Sequence, residues 1–302
     1  MKDAYTFQPE QGHGLAFHAA AILVLALAGA VGLWQAAHAT IGPVFLAYLL
    51  PALFALGLSP ALVYRAYALY RANYELLRDG IRLRWGLRAV DIPMDAVSWV
   101  RPAGELDQAL PLPWLRWPGA ILGTRHLPGG GQVEFLASVP DRLVLISTPE
   151  RIYAVSPDDP ETFLRTFRRF TELGSLTPLP ARSIYPGFLL ARVWDALPAR
   201  VLLLCALFFS LLLLVWVSLE IPSRSRLFLG FDAQGNPRDQ VPPVQLLLLP
   251  VLNTLILLAD FSLGLFFFRR KESELLAYIL WAGSALSPLL FLIGVYFTLR
   301  AG

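Results

Sequence analysis

Ile81-Arg82-Leu83-Arg84-Trp85, with Gly80 before it and Gly86 after it, alternates apolar and basic residues. Successive side chains of a strand point to opposite faces, so this pattern predicts a strand with one face buried and one in water. The same reading extends outward. Val90 to Pro93 and Ala96 to Val100 are short β segments, and Gln132 to Ala137 follows a Gly129-Gly130-Gly131 turn. Leu143 to Ile146 is a continuous apolar strand, and Arg151 to Val155 comes after the Thr148-Pro149-Glu150 turn. Asp159 is placed to cap a helix that has Pro160 at its first position. Phe163, Leu164, Phe167 and Phe170 then recur at helical spacing and form one apolar face. Several short strands closed by one amphipathic helix predict a small barrel or open sandwich with its end plugged.

The rest of the chain is of another kind. Of 302 residues, 56% are apolar and 16% charged, with a mean hydropathy of +0.56; soluble domains carry about 25% charged residues. Residues 71–200 hold 16 of the 25 Lys and Arg and 14 of the 22 Asp and Glu, so an ordinary soluble middle lies between apolar ends. A single water-soluble globule and a disordered chain are both excluded. A net charge of +3 is too small to point to nucleic acid, and the lone Cys205 excludes a disulfide framework.

A helix needs about 20 apolar residues to cross the hydrocarbon core. Five segments qualify: 19–37, 41–64, 201–219, 244–268 and 275–299. The expected organisation is a transmembrane hairpin over 1–71 and a soluble module over 72–172. A Pro-rich juxtamembrane linker over 173–200 and a three-helix membrane unit over 201–302, with an outer loop at 220–243, complete it. Basic residues in the short flanks set orientation. With the amino terminus inside, ten lie on the cytoplasmic side (Lys2, Arg65, Arg71, Arg78, Arg182, Arg192, Arg200, Arg269, Arg270, Lys271). Four lie outside (Arg224, Arg226, Arg238, Arg300). The carboxyl terminus is then outside, and the soluble module is cytoplasmic.

Tyr74-Glu75-Leu76, Asp79-Gly80-Ile81, Trp85-Gly86, Ile92-Pro93, Pro118-Gly119, Gly131, Leu145-Ile146-Ser147-Thr148, Tyr153 and Ser156-Pro157-Asp158-Asp159-Pro160-Glu161-Thr162-Phe163 occur in that order. In this order they resemble a bacterial pleckstrin-homology (PH-like) domain over roughly residues 72–172. The resemblance implies two bent antiparallel sheets capped by a carboxyl-terminal helix. The flanking segments resemble those of membrane-embedded bacterial PH-like proteins. The fold class is then an α+β membrane protein, five transmembrane helices (two plus three) with an inserted cytoplasmic PH-like β-sandwich or barrel. Gly230-Phe231-Asp232-Ala233-Gln234-Gly235-Asn236-Pro237-Arg238-Asp239, followed by two apolar helices, is similar to a motif of SdpI-like membrane proteins, which usually carry histidine where Gly230 stands. Neither resemblance implies a catalytic residue, a cofactor or a metal.

Two groups of residues are candidate sites. Asp260 lies about 12 Å into the apolar layer from Phe268 by the helical rise, and Asn253 is seven residues away on the same face. An ionisable group at such depth is either functional or bonded to a small polar residue such as Ser284 or Ser287. Arg165, Arg168, Arg169 and Arg192 flank the inner leaflet, where anionic lipid attracts each by about 1 kcal/mol; they serve either lipid contact or topology alone. The Pro111-Leu112-Pro113-Trp114-Leu115-Arg116-Trp117-Pro118 loop either dips its tryptophans into the interface or packs them on the sheet. Pro186 to Asp195 reads as a short interfacial segment.

No constellation of acid, base and nucleophile is present. The expected function is therefore non-enzymatic: a PH-like module at the inner leaflet of the bacterial plasma membrane, used for protein interaction, assembly or signalling. The expected partners are the bilayer, anionic lipids, and a second copy or a larger membrane complex. A transporter or proton pathway using Asp260 and Asn253 is the alternative. A reporter active only outside the cytoplasm, fused after Gly302, is expected to be active; activity of a cytoplasm-only reporter there would contradict the orientation.

Overall fold

The structure, a computed structural model, describes residues 4–106, 110–113, 117–127, 131–175, 179–184, 188–228 and 240–301. It divides into two compact units, Met1–Leu27 with Ala55–Pro186, and Ala28–Phe54 with Gly187–Gly302. The elements run β1 (Ala4–Phe7), α1 (Gly12–His38), α2 (Pro43–Tyr70), β2 (Asn73–Leu77), β3 (Gly80–Trp85), β4 (Arg88–Pro93) and β5 (Trp99–Pro102). Then come β6 (Ile121–His126), β7 (Gln132–Ala137), β8 (Val144–Ser147), β9 (Ile152–Val155), α3 (Pro160–Leu173) and β10 (Arg182–Ile184). The second half holds α4 (Phe188–Asp195), α5 (Leu197–Glu220), β11 (Leu227–Phe228), β12 (Gln240–Val241), α6 (Leu248–Phe268) and α7 (Glu274–Ala301).

The first unit carries two five-stranded sheets. One has the antiparallel order β1-β2-β3-β4-β10. The other has the order β5-β8-β9-β7-β6, with β7 and β9 parallel and the remaining pairs antiparallel. The alternation that predicted β3 turns Ile81, Leu83 and Trp85 inward with Tyr74, Leu76, Val90 and Ile92. They meet Leu136, Val144, Ile146, Tyr153 and Val155 of the second sheet, and Phe163 and Phe170 of α3 close one end. The second sheet has an apolar outer face as well: Val133, Phe135, Leu145 and Ala154 lie under Trp99, Leu106, Leu110 and Leu112. Burial on both faces explains why Leu143 to Ile146 reads as a continuous apolar run.

α3 starts where its cap is written. Asp159 accepts a hydrogen bond from the Thr162 backbone N–H at 2.9 Å, and Pro160 occupies the first turn. Hydrogen bonds from Thr162 hold the exposed Asp159 carboxyl below its ordinary value. Its contribution is therefore fully present above the unfolded-state value and is lost only as pH falls through the lowered one.

Two strands extend the sheet beyond residues 72–172. β1 comes from the amino-terminal stretch and pairs Thr6 with Glu75, while Phe7 packs on Phe163 at 5.2 Å and Tyr5 on Phe170 at 5.8 Å. β10 comes from the Pro-rich stretch and pairs Ser183 with Val90. Proline forbids a helix there but leaves a three-residue edge strand open.

The sheets are joined by a buried ion pair. Arg88 Nε donates to Glu134 Oε1 at 2.7 Å and Nη2 to Oε2 at 2.9 Å, with the side chains 6% and 4% exposed. Nη1 of Arg88 donates to Ser183 Oγ at 2.9 Å and to the Ile184 carbonyl at 3.0 Å, and Arg151 adds a 3.3 Å contact to Glu134 Oε2. Tyr74 makes a second bridge, its hydroxyl donating to the Leu136 carbonyl at 2.6 Å; burial pushes that hydroxyl's pKa up.

Five helical spans, Gly12–His38, Pro43–Tyr70, Leu197–Ser223, Pro243–Phe268 and Lys271–Arg300, are long and apolar enough to cross a membrane. They run past the expected apolar limits because a helix continues through the polar residues at its ends. Leu23, Val24, Phe54, Phe208 and Phe266 point outward, each more than half exposed. Helices that expose apolar side chains in this way suggest a multi-pass membrane protein. In the second unit, α5, α6 and α7 pack around Leu213, Val217, Leu292 and Val295. At another point of this unit Gly264 of α6 meets the Trp281 indole of α7, where a Cβ would collide with the ring.

Arg88→Met and Glu134→Leu, each made alone, are expected to destabilise the first unit by about 3–5 kcal/mol, because each strands a buried charge. The double substitution is expected to recover most of that loss. Denaturant unfolding of the full chain in detergent measures it; single losses below about 1 kcal/mol would contradict the role given to the pair.

Candidate functional site

Asp260 and Asn253 both lie on α6, and they take different partners. Asn253 is buried and donates through Nδ2 to Ser210 Oγ of α5 at 2.7 Å; Ser210 in turn donates to the Ala206 carbonyl at 2.6 Å. Asp260 accepts from Ser284 Oγ of α7 at 3.0 Å, with Gly283 beside it. The two residues thus join α6 to its two neighbours. Each side chain has a small hydroxyl partner of the kind that holds helices together in lipid.

The four arginines fall into two environments. Arg165, Arg168 and Arg169 lie on the exposed face of α3, opposite Phe163, Thr166 and Phe170, which are buried. Arg165 Nη2 donates to Thr162 Oγ1 at 2.8 Å. Arg192 is a residue of α4 in the second unit. Its Nη2 reaches Glu274 Oε2 at 3.2 Å, and its guanidinium lies 5.1 Å from the centre of the Phe268 ring. Tyr278 donates to the same carboxylate at 3.1 Å. Arg192 therefore fastens α4 to α6 and α7, whereas the three α3 arginines are displayed to the surroundings.

The tryptophan loop lies partly outside the described residues, which omit 114–116. Trp117 packs against helix residues, 6.1 Å from Phe17 and with the Arg65 guanidinium 4.9 Å from its ring centre. The Gly230 to Asp239 stretch, on which the SdpI-like resemblance rests, also lies outside the described residues. Among the described residues no group of three His, Cys, Asp or Glu is placed to hold a metal ion.

The sandwich presents one long edge. β6 pairs with β7 from Ile121↔Ala137 to His126↔Gln132 and, among the described residues, has no strand on its other side. Gly123, Thr124 and His126 are exposed there. Such an edge offers a row of backbone donors and acceptors to an incoming strand. Sequence reasoning did not find β6, because Ile121-Leu122-Gly123-Thr124-Arg125-His126 has apolar residues only at its start and a glycine within it.

Residues 72–170 match the family model of the bacterial PH domain. The match spans β2 to α3 and ends inside that helix. β1 and β10, which complete the first sheet of the PH-like module, fall outside it. No curated protein and no solved structure matches the chain.

The displayed face of α3 makes a specific expectation. Binding of the full chain to anionic vesicles should weaken with salt, because exposed charges are screened beyond about 8 Å at physiological ionic strength. It should weaken further in Arg168→Glu/Arg169→Glu. Equal binding of that variant and the parent in vesicle flotation would leave these arginines without a lipid role.

Proposed function

We propose that the chain is a non-enzymatic, multi-pass protein of the bacterial plasma membrane that presents its PH-like module for protein interaction, assembly or signalling. The module lies on the cytoplasmic side, with the amino terminus inside and the carboxyl terminus outside, as the ten-to-four distribution of flanking basic residues favours. The partner is a protein, either a second copy or another subunit of a membrane complex.

The observation that carries this reading is the open β6 edge, six residues long and exposed at Thr124. Sheets of this kind host many roles, and it is the edge, more than the fold, that points to a protein partner. The transporter alternative would use Asp260 and Asn253. Their one-to-one bonds to Ser284 and Ser210 favour a structural role for both.

A photo-crosslinking residue placed at Thr124 is expected to give adducts of one discrete added mass in cells, while the same probe at Glu172 on α3 gives none of that mass. Asp260→Asn is expected to leave the Thr124 adduct unchanged. Absence of a protein adduct at Thr124, or identical labelling from Glu172, would overturn the reading.

A further inference from the structure

Three cavities with described linings set arginine beside carboxylate. Arg142 lies with Asp141 and Glu161 in one, Arg182 with Asp91 and Glu150 in another, and Arg269 and Arg270 with Glu272 in the third. A further cavity in the first unit differs. It has a volume of about 400 Å³ and is lined by Thr6, Gln8, Gln11, Tyr70, Arg71 and Asn73, with no carboxylate in the lining among the described residues.

Its walls are the residues just outside two apolar helices. Thr6, Gln8 and Gln11 precede Gly12, the first residue of α1, and Arg71 and Asn73 follow Tyr70, the last of α2. Gln11 Nε2 donates to the Leu69 carbonyl at 2.9 Å and so holds the two helix ends together. Tyr67 and Tyr70 are 47% and 66% exposed on the last turns of α2, where tyrosine accompanies the headgroup layer of a spanning helix.

The chemistry of the lining favours an anion. Arg71 is exposed and, among the described residues, has no carboxylate within ion-pair distance. Glu75, which pairs in register with Thr6, is drawn instead to Arg82 at 3.9 Å. The same lining holds Thr6, Tyr70, Gln8 and Asn73, whose hydroxyls and amides are able to donate. Among the described residues no hydrogen bond engages Asn73 Nδ2, the half of that amide able to donate.

We propose that this cavity binds a phosphate group, with Arg71 as its cation and Thr6, Gln8 and Asn73 as neutral donors. The headgroup phosphate of an anionic phospholipid is the source that lies at the depth of the helix ends; a soluble phosphate ester carries the same chemistry. The lining includes neither the α3 arginines nor the β6 edge, and the reading of α1 and α2 as membrane spans serves only to assign the source.

The test uses the full chain in mild detergent, with phosphatidylglycerol in one arm and glycerol phosphate in the other, and native mass spectrometry as the readout. Phosphatidylglycerol is expected to bind, with affinity about tenfold weaker in Arg71→Gln, the usual size of one lost charge-assisted hydrogen bond. Arg71→Lys should retain most of it, and Arg142→Gln, in a cavity that also holds Asp141 and Glu161, should leave it unchanged. If Arg71→Gln lowers the melting temperature, Thr6→Val/Gln8→Leu provides a second disruption that keeps the charge. Arg71-dependent binding of glycerol phosphate without the lipid would support the phosphate site and make its ligand soluble. Equal lipid affinity in the parent and Arg71→Gln, or equal weakening by Arg142→Gln, would overturn the proposal.

Discussion

The Arg88–Glu134 pair is the constraint around which the PH-like module is built. Both side chains lie on the inner faces of their sheets, among residues that are otherwise apolar. Two charges there are tolerable only with near-complete hydrogen bonding, and the bidentate geometry together with Ser183, Ile184 and Arg151 provides it. The pair also sets register. A slip of one residue in β4 would turn Arg88 to the outer face and leave Glu134 buried with its bidentate partner gone. The same guanidinium reaches β10, so an edge strand of only three residues is bonded to more than its ladder.

The module is tied into α1 and α2 by backbone as well as by side chains. β1 runs directly into α1 and α2 runs directly into β2, and β1 pairs with β2. Gly86 and Gly119 make the contact close. Both have positive φ, 58° and 74°, and a Cβ would strike Ala68 of α2 at the first and the Gly14 backbone at the second. The Gln8 carbonyl accepts from the Asp158 N–H at 2.8 Å, which brings the chain entry to the α3 cap. A soluble module appended by a flexible tether would need none of these contacts.

In the second unit the polar residues act as connectors. Asn253 with Ser210, Asp260 with Ser284, and Arg192 with Glu274 each join two different helices. Apolar packing alone discriminates poorly between helix rotations in lipid, since tails are as apolar as leucine. A hydrogen bond at one depth and a glycine–tryptophan contact at another select one rotation.

Much of this was legible in the residues themselves. Composition and run length determine the five apolar helices; period-two alternation determines β3, and Asp159-Pro160 determines the start of α3. These signals are local, because each depends on backbone period, capping or transfer into an apolar phase. Partner choice is not local. That Tyr5 and Phe7 form a strand, that Ser183 and Ile184 meet Arg88, that Arg192 belongs to Glu274 while Arg168 faces outward, and that Arg71 borders a cavity with Thr6, Gln8 and Asn73 were decided only by the tertiary structure. The physical reason is that a short strand or a lone charge has no preference of its own; it takes its state from the group that packing brings within about 3 Å.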